Sequence, residues 1–136
     1  MEKQITVLIA DDNDFFRETL RILLWEINTL RIAGEARNGE EAIILAAEFS
    51  PDIILMDIHM SPVNGFEATR KILKNNPAIK IIGLSMHKEP SYCKNLMRLG
   101  ARGYVIKSSS HNEIIDAIRE VAAGGKYIDK EILGSL

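Results

Sequence analysis

Short apolar runs alternate with helical patterns along the chain. In the segment after each run, apolar residues recur every three or four positions, which predicts an amphipathic helix. Near-continuous apolar runs are typical of strands that are buried on both faces. Five strands alternating with five helices predict a parallel sheet with helices on both sides. The five predicted strands are ITVLIA (5–10), RIAGEA (31–36), IILMD (53–57), KIIGLS (80–85) and GYVI (103–106).

Capping residues mark where several of the predicted helices begin. Asn38 is followed three residues later by Glu41, a pattern typical of a capping box. Pro90 suits the first turn of the helix after the fourth strand. Asp12 or Asp14 could cap the first helix in the same way.

Length and charge narrow the classes of function. The chain has 136 residues, enough for one domain with a proper core. A net charge of −2 gives no reason to expect this segment to bind nucleic acid or a membrane surface. No apolar run approaches the roughly 20 residues of a membrane span, and residues 1–4 lack the apolar core of a signal peptide. The lone Cys93 excludes an internal disulfide, so we expect a reducing compartment, the cytoplasm.

Four of the five predicted strands lead into polar or charged residues, namely Asp11-Asp12, Asp57, Ser85 and Lys107. The carboxyl ends of parallel strands form one edge of the sheet, and open α/β sheets bind their ligands there. Polar residues in such places can also simply begin loops, and for Ser85 taken alone this is the better interpretation.

The combination of charges at this edge points to chemistry. Three carboxylates close together would repel one another and raise their pKa values. A hard cation such as Mg²⁺ relieves that conflict, and Lys107 would add a second positive charge. We therefore predict a site at which Asp57 attacks a phosphoryl group and forms an acyl phosphate. The metal, Lys107 and the Ser85 hydroxyl would stabilise the transferring oxygens.

Four motifs in order resemble the receiver domain of two-component response regulators, from Ile5 to about Ala123: ADDN (10–13), LMDIHM (55–60), GLS (83–85) and GYVIK (103–107). The resemblance implies a flavodoxin-like (βα)5 fold, a doubly wound parallel five-stranded sheet with strand order 2-1-3-4-5. Three further stretches are similar to receivers of the NarL/FixJ (LuxR-type) transcription factors: GEARNGEEAI (34–43), LGARGYVIK (99–107) and GGKYIDKEI (124–132). Ser108, where many receivers have proline, also fits that class.

The resemblance also implies a role for each residue of the site. Asp57 is expected to be the phosphoacceptor, assisted by Lys107 and Ser85. Mg²⁺ is expected as the cofactor, bound by Asp12 and Asp57, by Asp11 through water, and by the backbone carbonyl of His59.

Four further residues have two interpretations each. Ser85 and Tyr104 are expected to form the switch that responds to phosphorylation, although Tyr104 could simply be a packed strand aromatic. His59 and His87 could shield the phosphoryl group from water and lengthen the phosphorylated state, or they could be solvated loop residues. Phe15 could contact the kinase or belong to the core.

We therefore expect a regulator that catalyses only its own phosphorylation and dephosphorylation. A sensor histidine kinase, docking near the first helix, would be the phosphodonor. Residues 1–123 would form the receiver, and residues 124–136 a tail or the start of a linker to a helix-turn-helix domain outside this chain. DNA would bind only through that domain, no membrane partner is expected, and phosphorylation could drive homodimerisation.

Two other functions compete with this hypothesis. The chain could be a stand-alone receiver that acts by protein–protein contact or carries phosphate in a relay. A Mg²⁺-dependent phosphohydrolase is disfavoured, because such enzymes usually place an acid/base Asp two residues after the nucleophile, where this chain has His59.

Overall fold

All five predicted strands and helices are present in the structure, a computed structural model that describes residues 4–136. Residues 1–3, which belong to the stretch that argued against a signal peptide, lie outside the described residues. The strands are β1 (Ile5–Ala10), β2 (Leu30–Ala36), β3 (Ile53–Asp57), β4 (Lys80–Ser85), β5 (Gly103–Ile106) and β6 (Tyr127–Ile128). The helices are α1 (Asp14–Trp25), α2 (Gly39–Phe49), α3 (Gly65–Asn75), α4 (Pro90–Arg98), α5 (His111–Ala122) and α6 (Lys130–Leu133).

The strands form one parallel sheet in the order β2-β1-β3-β4-β5-β6. The expected order 2-1-3-4-5 is therefore confirmed for the first five strands. The sixth strand was not predicted, because two residues are too few to show a period-2 pattern. It pairs with β5 and extends the sheet at that edge.

Two apolar layers sandwich the sheet. One cluster joins one face of the strands to buried residues of α2, α3, α4 and α6, and the other joins the opposite face to α1 and α5. Neighbouring residues of β1 divide between them, with Leu8 and Ala10 in the first cluster and Val7 and Ile9 in the second. This alternation follows from the strand pleat and explains why the strands are apolar throughout.

Asn13, and neither Asp12 nor Asp14, caps α1, so the expectation of an aspartate cap is wrong. The Asn13 side chain accepts a hydrogen bond from Phe16 N at 2.8 Å. In the turn before the helix, Asn13 N donates a hydrogen bond to Asp11 Oδ1. This bond fixes Asn13 as the residue that precedes the first helical residue, Asp14, which is the position of the cap. The cap at Asn38 is confirmed, although Glu41 reaches back to the amide of Arg37.

Residues 124–136, expected to be a tail or the start of a linker, contain β6 and α6 and bury Ile132 completely. Over the described residues, 4–136, none of the helices has the length and apolar character needed to cross a membrane.

Candidate functional site

Asp11 and Asp12 follow β1 at the carboxyl edge of the sheet. Asp11 is fully buried, whereas Asp12 is exposed. The Asp11 carbonyl oxygen accepts a hydrogen bond from Arg17 Nη1 at 2.7 Å. Arg17 also pairs with Asp14 and lies 3.5 Å from Glu35 Oε1 on β2, so one guanidinium holds the turn in place.

Asp57 is the last residue of β3 and is almost completely buried. Its Oδ1 atom accepts a hydrogen bond from His59 N at 3.0 Å, which leaves Oδ2 free to face the centre of the site. The start of α3 packs tightly behind this strand end. A Cβ atom on Gly65 would lie 2.4 Å from the Asp57 carbonyl oxygen and 2.5 Å from Ile58 Cα, so only glycine fits there.

Lys107 joins the two aspartates from the end of β5. Its Nζ atom lies 2.6 Å from Asp11 Oδ2 and 3.4 Å from Asp57 Oδ2. The Phe16 ring lies beneath the ammonium group, with 4.8 Å between Nζ and the ring centroid, which is a cation–π contact. The side chain is only 8% exposed, so these contacts are formed in a poorly hydrated environment and are little screened.

One oxygen atom of each of Asp11, Asp12 and Asp57 lies within 4.8 Å of the others. Desolvation raises the pKa of Asp12, the charge of Asp57 raises it further, and Lys107 partly opposes this. Asp11 Oδ2 is buried, and Lys107 Nζ lies 2.6 Å from it. An oxygen-only ligand set suits a hard cation, so this cluster could hold a metal ion.

Ser85 and Tyr104 border the site on the side of β4 and β5. Ser85 is buried, and its Oγ atom accepts a hydrogen bond from His87 N at 2.9 Å. Tyr104 is also fully buried, with its hydroxyl 3.5 Å from the His87 carbonyl oxygen. Burial raises the pKa of Tyr104 to about 12, so the phenol is neutral at physiological pH.

His59 and His87 form a small aromatic group at the mouth of the site. Their ring centroids are 4.6 Å apart, and the ring centroid of Tyr92 lies 5.3 Å from that of His59. His59 Nε2 is 3.1 Å from Ser85 Oγ, so this ring is tied to the site although the residue is exposed. Desolvation and the neighbouring His87 lower the pKa of His59, so its ring is mainly neutral near pH 7.

Comparison with known proteins decides the family. A family model for the response regulator receiver domain matches residues 7–119. The chain belongs to this family. Receivers of response regulators are regulators and not enzymes in the ordinary sense, in line with the expectation from the sequence.

The receiver is similar to proteins of the LuxR and NarL type. It is 39% identical to the response regulator GacA of Pseudomonas protegens, over 97% of this chain and 62% of GacA. It is 36% identical to the transcriptional regulatory protein DegU of Brevibacillus brevis, over 99% of this chain and 57% of DegU. A crystal structure of a LuxR-family two-component response regulator from Aurantimonas sp. superposes with a TM-score of 0.93 and 31% identity, covering 97% of this chain and 94% of that one. The assignment to the NarL/FixJ class is thus confirmed.

The receiver spans about three fifths of the length of these two curated relatives. Its own structure brings together the residues that the sequence singled out, because four strand ends meet at one edge. Sequence reasoning missed Arg17, Phe16 and Gly65. For Arg17, the i,i+3 spacing from Asp14 was a signal. The contact of Phe16 with Lys107 joins parts of the chain that are distant in sequence, and the close approach of Gly65 to Asp57 depends on the path of the loop between them.

Proposed function

We propose that this receiver accepts a phosphoryl group on Asp57 from a sensor histidine kinase, in the presence of Mg²⁺, and thereby switches an output. The observation that supports this most directly is the arrangement of the buried Asp57 with Lys107 and two further carboxylates. Asp12 and Asp57, the His59 carbonyl and, through water, Asp11 would hold the ion. When bound, Mg²⁺ would offset the negative charge of the transferring oxygens.

The geometry indicates which oxygen of Asp57 reacts. Oδ1 is occupied by the amide of His59, whereas Oδ2 faces Lys107 at 3.4 Å. Oδ2 therefore attacks phosphorus, and the bond between phosphorus and the donor nitrogen breaks with its electron pair returning to the kinase histidine. Lys107 then pairs with a phosphoryl oxygen, which stabilises the charge that develops there.

Ser85 and Tyr104 are proposed as the switch. Ser85 Oγ lies between His59 Nε2 and His87 N, so turning its hydroxyl towards a phosphoryl group would change both contacts. The hydroxyl of Tyr104 lies beside the His87 carbonyl and would sense that change through the same loop. A local change of charge would thus bias a two-state element.

The kinase is proposed to dock near α1. Phe15 is 78% exposed, so its assignment to the core is wrong, and Ile22 and Trp25 are also exposed on this helix. Large apolar side chains exposed along a helix that begins beside the acidic site are suited to a protein partner.

The output is proposed to be an attached helix-turn-helix DNA-binding domain. The curated relatives are longer than this chain, and DegU is called a transcriptional regulatory protein. This supports an attached domain over a stand-alone receiver or relay carrier, with residues 1–123 as the receiver and residues 124–136 leading towards the output. Homodimerisation on phosphorylation and a cytoplasmic location belong to the same proposal.

Intact-protein mass spectrometry tests the phosphorylation chemistry. After incubation with Mg²⁺ and a small acyl-phosphate donor, we expect one labile phosphoryl group on the wild type and none without Mg²⁺. Asp57→Asn should remain unmodified, whereas Asp52→Asn, which alters a carboxylate at the opposite edge of the sheet, should react like the wild type. Modification of Asp57→Asn would contradict the proposal, and so would an unmodified wild type that also fails to bind beryllofluoride.

The two histidines are proposed to slow dephosphorylation. Because His59 touches Ser85 and packs beside His87, their rings can shield the phosphoryl group from water. Substituting both with alanine is expected to shorten the lifetime of the phosphorylated form, because water then reaches the phosphoryl group more easily. The measurement is loss of the phosphorylated mass with time. An unchanged lifetime would show that both are only loop residues.

A further inference from the structure

Asp129 is a buried carboxylate that plays no part in the site described above. It lies between β6 and α6 and is only 1% exposed. Its Oδ2 atom accepts hydrogen bonds from Ile106 N at 2.9 Å and Ser109 Oγ at 2.7 Å. Its Oδ1 atom accepts from Glu131 N at 3.0 Å and caps α6. A buried carboxylate is costly unless it is bonded in this way, so the segment is held in a specific position.

The hydrogen bonds that Asp129 Oδ2 accepts come from residues on either side of Lys107 in the chain. Ile106 precedes Lys107, and Ser109 follows it by two residues. One carboxylate oxygen therefore holds the chain on both sides of the lysine that faces Asp11 and Asp57. Lys107 N itself donates to the Ser85 carbonyl oxygen at 2.7 Å, which joins the switch residue Ser85 to the same loop.

Further contacts dock the C-terminal segment, defined here as Tyr127–Leu133, against the fold. The Tyr127 hydroxyl donates to Glu113 Oε1 on α5 at 2.6 Å, and Asp129 N donates to the Tyr104 carbonyl oxygen at 2.8 Å. Ile132 is completely buried, in the apolar cluster that also contains Tyr104. Lys88, next to His87, lies 3.0 Å from Glu131 and adds an ion pair to the β4–α4 loop.

We propose that Asp129 positions Lys107 for phosphoryl transfer and couples docking of the C-terminal segment to the phosphorylation of Asp57. This inference rests on the proposed function and adds a positioning residue and a route to the output. In the docked arrangement Lys107 points into the site. A phosphoryl group that pairs with Lys107 therefore favours docking, and docking favours phosphorylation to the same extent, because such coupling is reciprocal.

Amide hydrogen exchange on the unmodified protein tests the coupling. With Mg²⁺ and beryllofluoride, compared with Mg²⁺ alone, exchange at Tyr127 and Asp129 is expected to slow about tenfold, the effect of one strengthened charge-assisted hydrogen bond. Tyr127 N donates to the Arg102 carbonyl oxygen and Asp129 N donates to the Tyr104 carbonyl oxygen, so both amides report docking directly. Amides in β2, at the far edge of the sheet, are expected to change little.

Fluorine NMR of bound beryllofluoride separates two ways of failing. If the ligand binds and exchange at 127–133 is unchanged, the coupling is wrong and the proposed function stands. If no ligand binds, the proposed function fails and this inference fails with it.

Asp129→Asn tests the positioning of Lys107. The Asn side chain would keep one uncharged acceptor oxygen and place an NH₂ group against either Glu131 N or the two donors Ile106 N and Ser109 Oγ. In both orientations the charge-assisted bonds beside Lys107 are weakened or lost, so Lys107 should be held less well. At saturating Mg²⁺ the rate of phosphorylation from an acyl-phosphate donor is expected to fall about tenfold. The Mg²⁺ concentration that gives half the maximal rate should stay the same, because the metal-binding oxygens are untouched. A purely structural role would not separate these two quantities.

Asp52→Asn is the matched control. Asp52 Oδ2 likewise accepts from a strand amide and a hydroxyl, Thr6 N at 2.9 Å and Thr6 Oγ1 at 3.1 Å, but it lies at the opposite edge of the sheet. The phosphorylation rate of the Asp52→Asn variant should match that of the wild type. Equal losses in both variants, or no loss in Asp129→Asn, would overturn the proposal.

Ser109→Ala covers the case in which Asp129→Asn does not fold. This variant removes one of the two hydrogen bonds to Asp129 Oδ2 and leaves the other. A loss of about threefold in rate is expected, in line with one hydrogen bond of modest net strength. An unchanged rate would then count against the positioning role.

Discussion

At the scale of single residues, Asp11 shows how the site is made at some cost to the fold. Its carboxylate is fully buried, and the several kcal/mol that an isolated buried charge would cost is offset by nearby donors. Lys107 Nζ and Asn13 N approach its two oxygens, and Arg17 binds its carbonyl. The residues that would hold a metal ion therefore depend on positive groups that the rest of the chain supplies.

Gly65→Ala is predicted to destabilise the protein by about 1–3 kcal/mol, the usual cost of overpacking. The added Cβ would lie 2.4 Å from the Asp57 carbonyl oxygen, so the strand end must move and phosphorylation should slow as well. Urea unfolding gives the stability. Gly134→Ala is the control, since nothing lies within 4 Å of its Cβ position and its φ of −68° suits any residue. Equal stabilities for the two variants would contradict the packing argument.

At the scale of elements, five of the six helices in residues 4–136 begin with a side-chain cap, and each helix is then held by its buried face. Side chains of Asn13, Asn38, Asn64, Ser110 and Asp129 cap five of the helices, whereas Pro90 opens α4 without a side-chain bond. Docking of α4 therefore depends mainly on buried residues such as Cys93 and Leu96. α4 follows the loop in which His87 contacts both switch residues, Ser85 and Tyr104.

Cys93 is predicted to resist alkylation in the native protein at pH 8. Its side chain is completely buried and out of reach of the reagent. Burial also raises the pKa of its thiol to about 11, so little thiolate forms. Mass spectrometry after iodoacetamide treatment measures the reaction, with the protein in urea as the control. Rapid alkylation without denaturant would mean that α4 opens readily.

At the scale of the whole molecule, parallel topology places every strand end that carries chemistry at one edge. β1, β3, β4 and β5 are consecutive neighbours in the sheet. Asp11, Asp57, Ser85 and Lys107 are therefore gathered although as many as 96 positions separate the first from the last. The cost of this arrangement is a concentration of negative charge that lowers the stability of the metal-free fold.

Asp12→Asn is predicted to raise Tm by roughly 3 °C without Mg²⁺, equivalent to about 1 kcal/mol of relieved repulsion. Mg²⁺ should raise the Tm of the wild type and have a smaller effect on this variant, because a ligand is lost. Calorimetry with and without Mg²⁺ measures both effects. Glu48→Gln, which neutralises an exposed carboxylate on α2 away from the cluster, should leave the response to Mg²⁺ unchanged. A similar Mg²⁺ response in Asp12→Asn and the wild type would exclude Asp12 as a ligand.

The sequence by itself determined the alternation of strands and helices, the helix starts at Asn38 and Pro90, and the set of polar residues at the strand ends, because these are local patterns of period and capping. The strand order followed from resemblance and not from periodicity. Only the tertiary structure decided that Asn13 caps α1, that residues 127–133 fold onto β5, and that Phe16, Arg17 and Gly65 support the site. These features depend on contacts that only the folded path of the chain creates or on competition between adjacent donors, and neither leaves a periodic signal in the sequence.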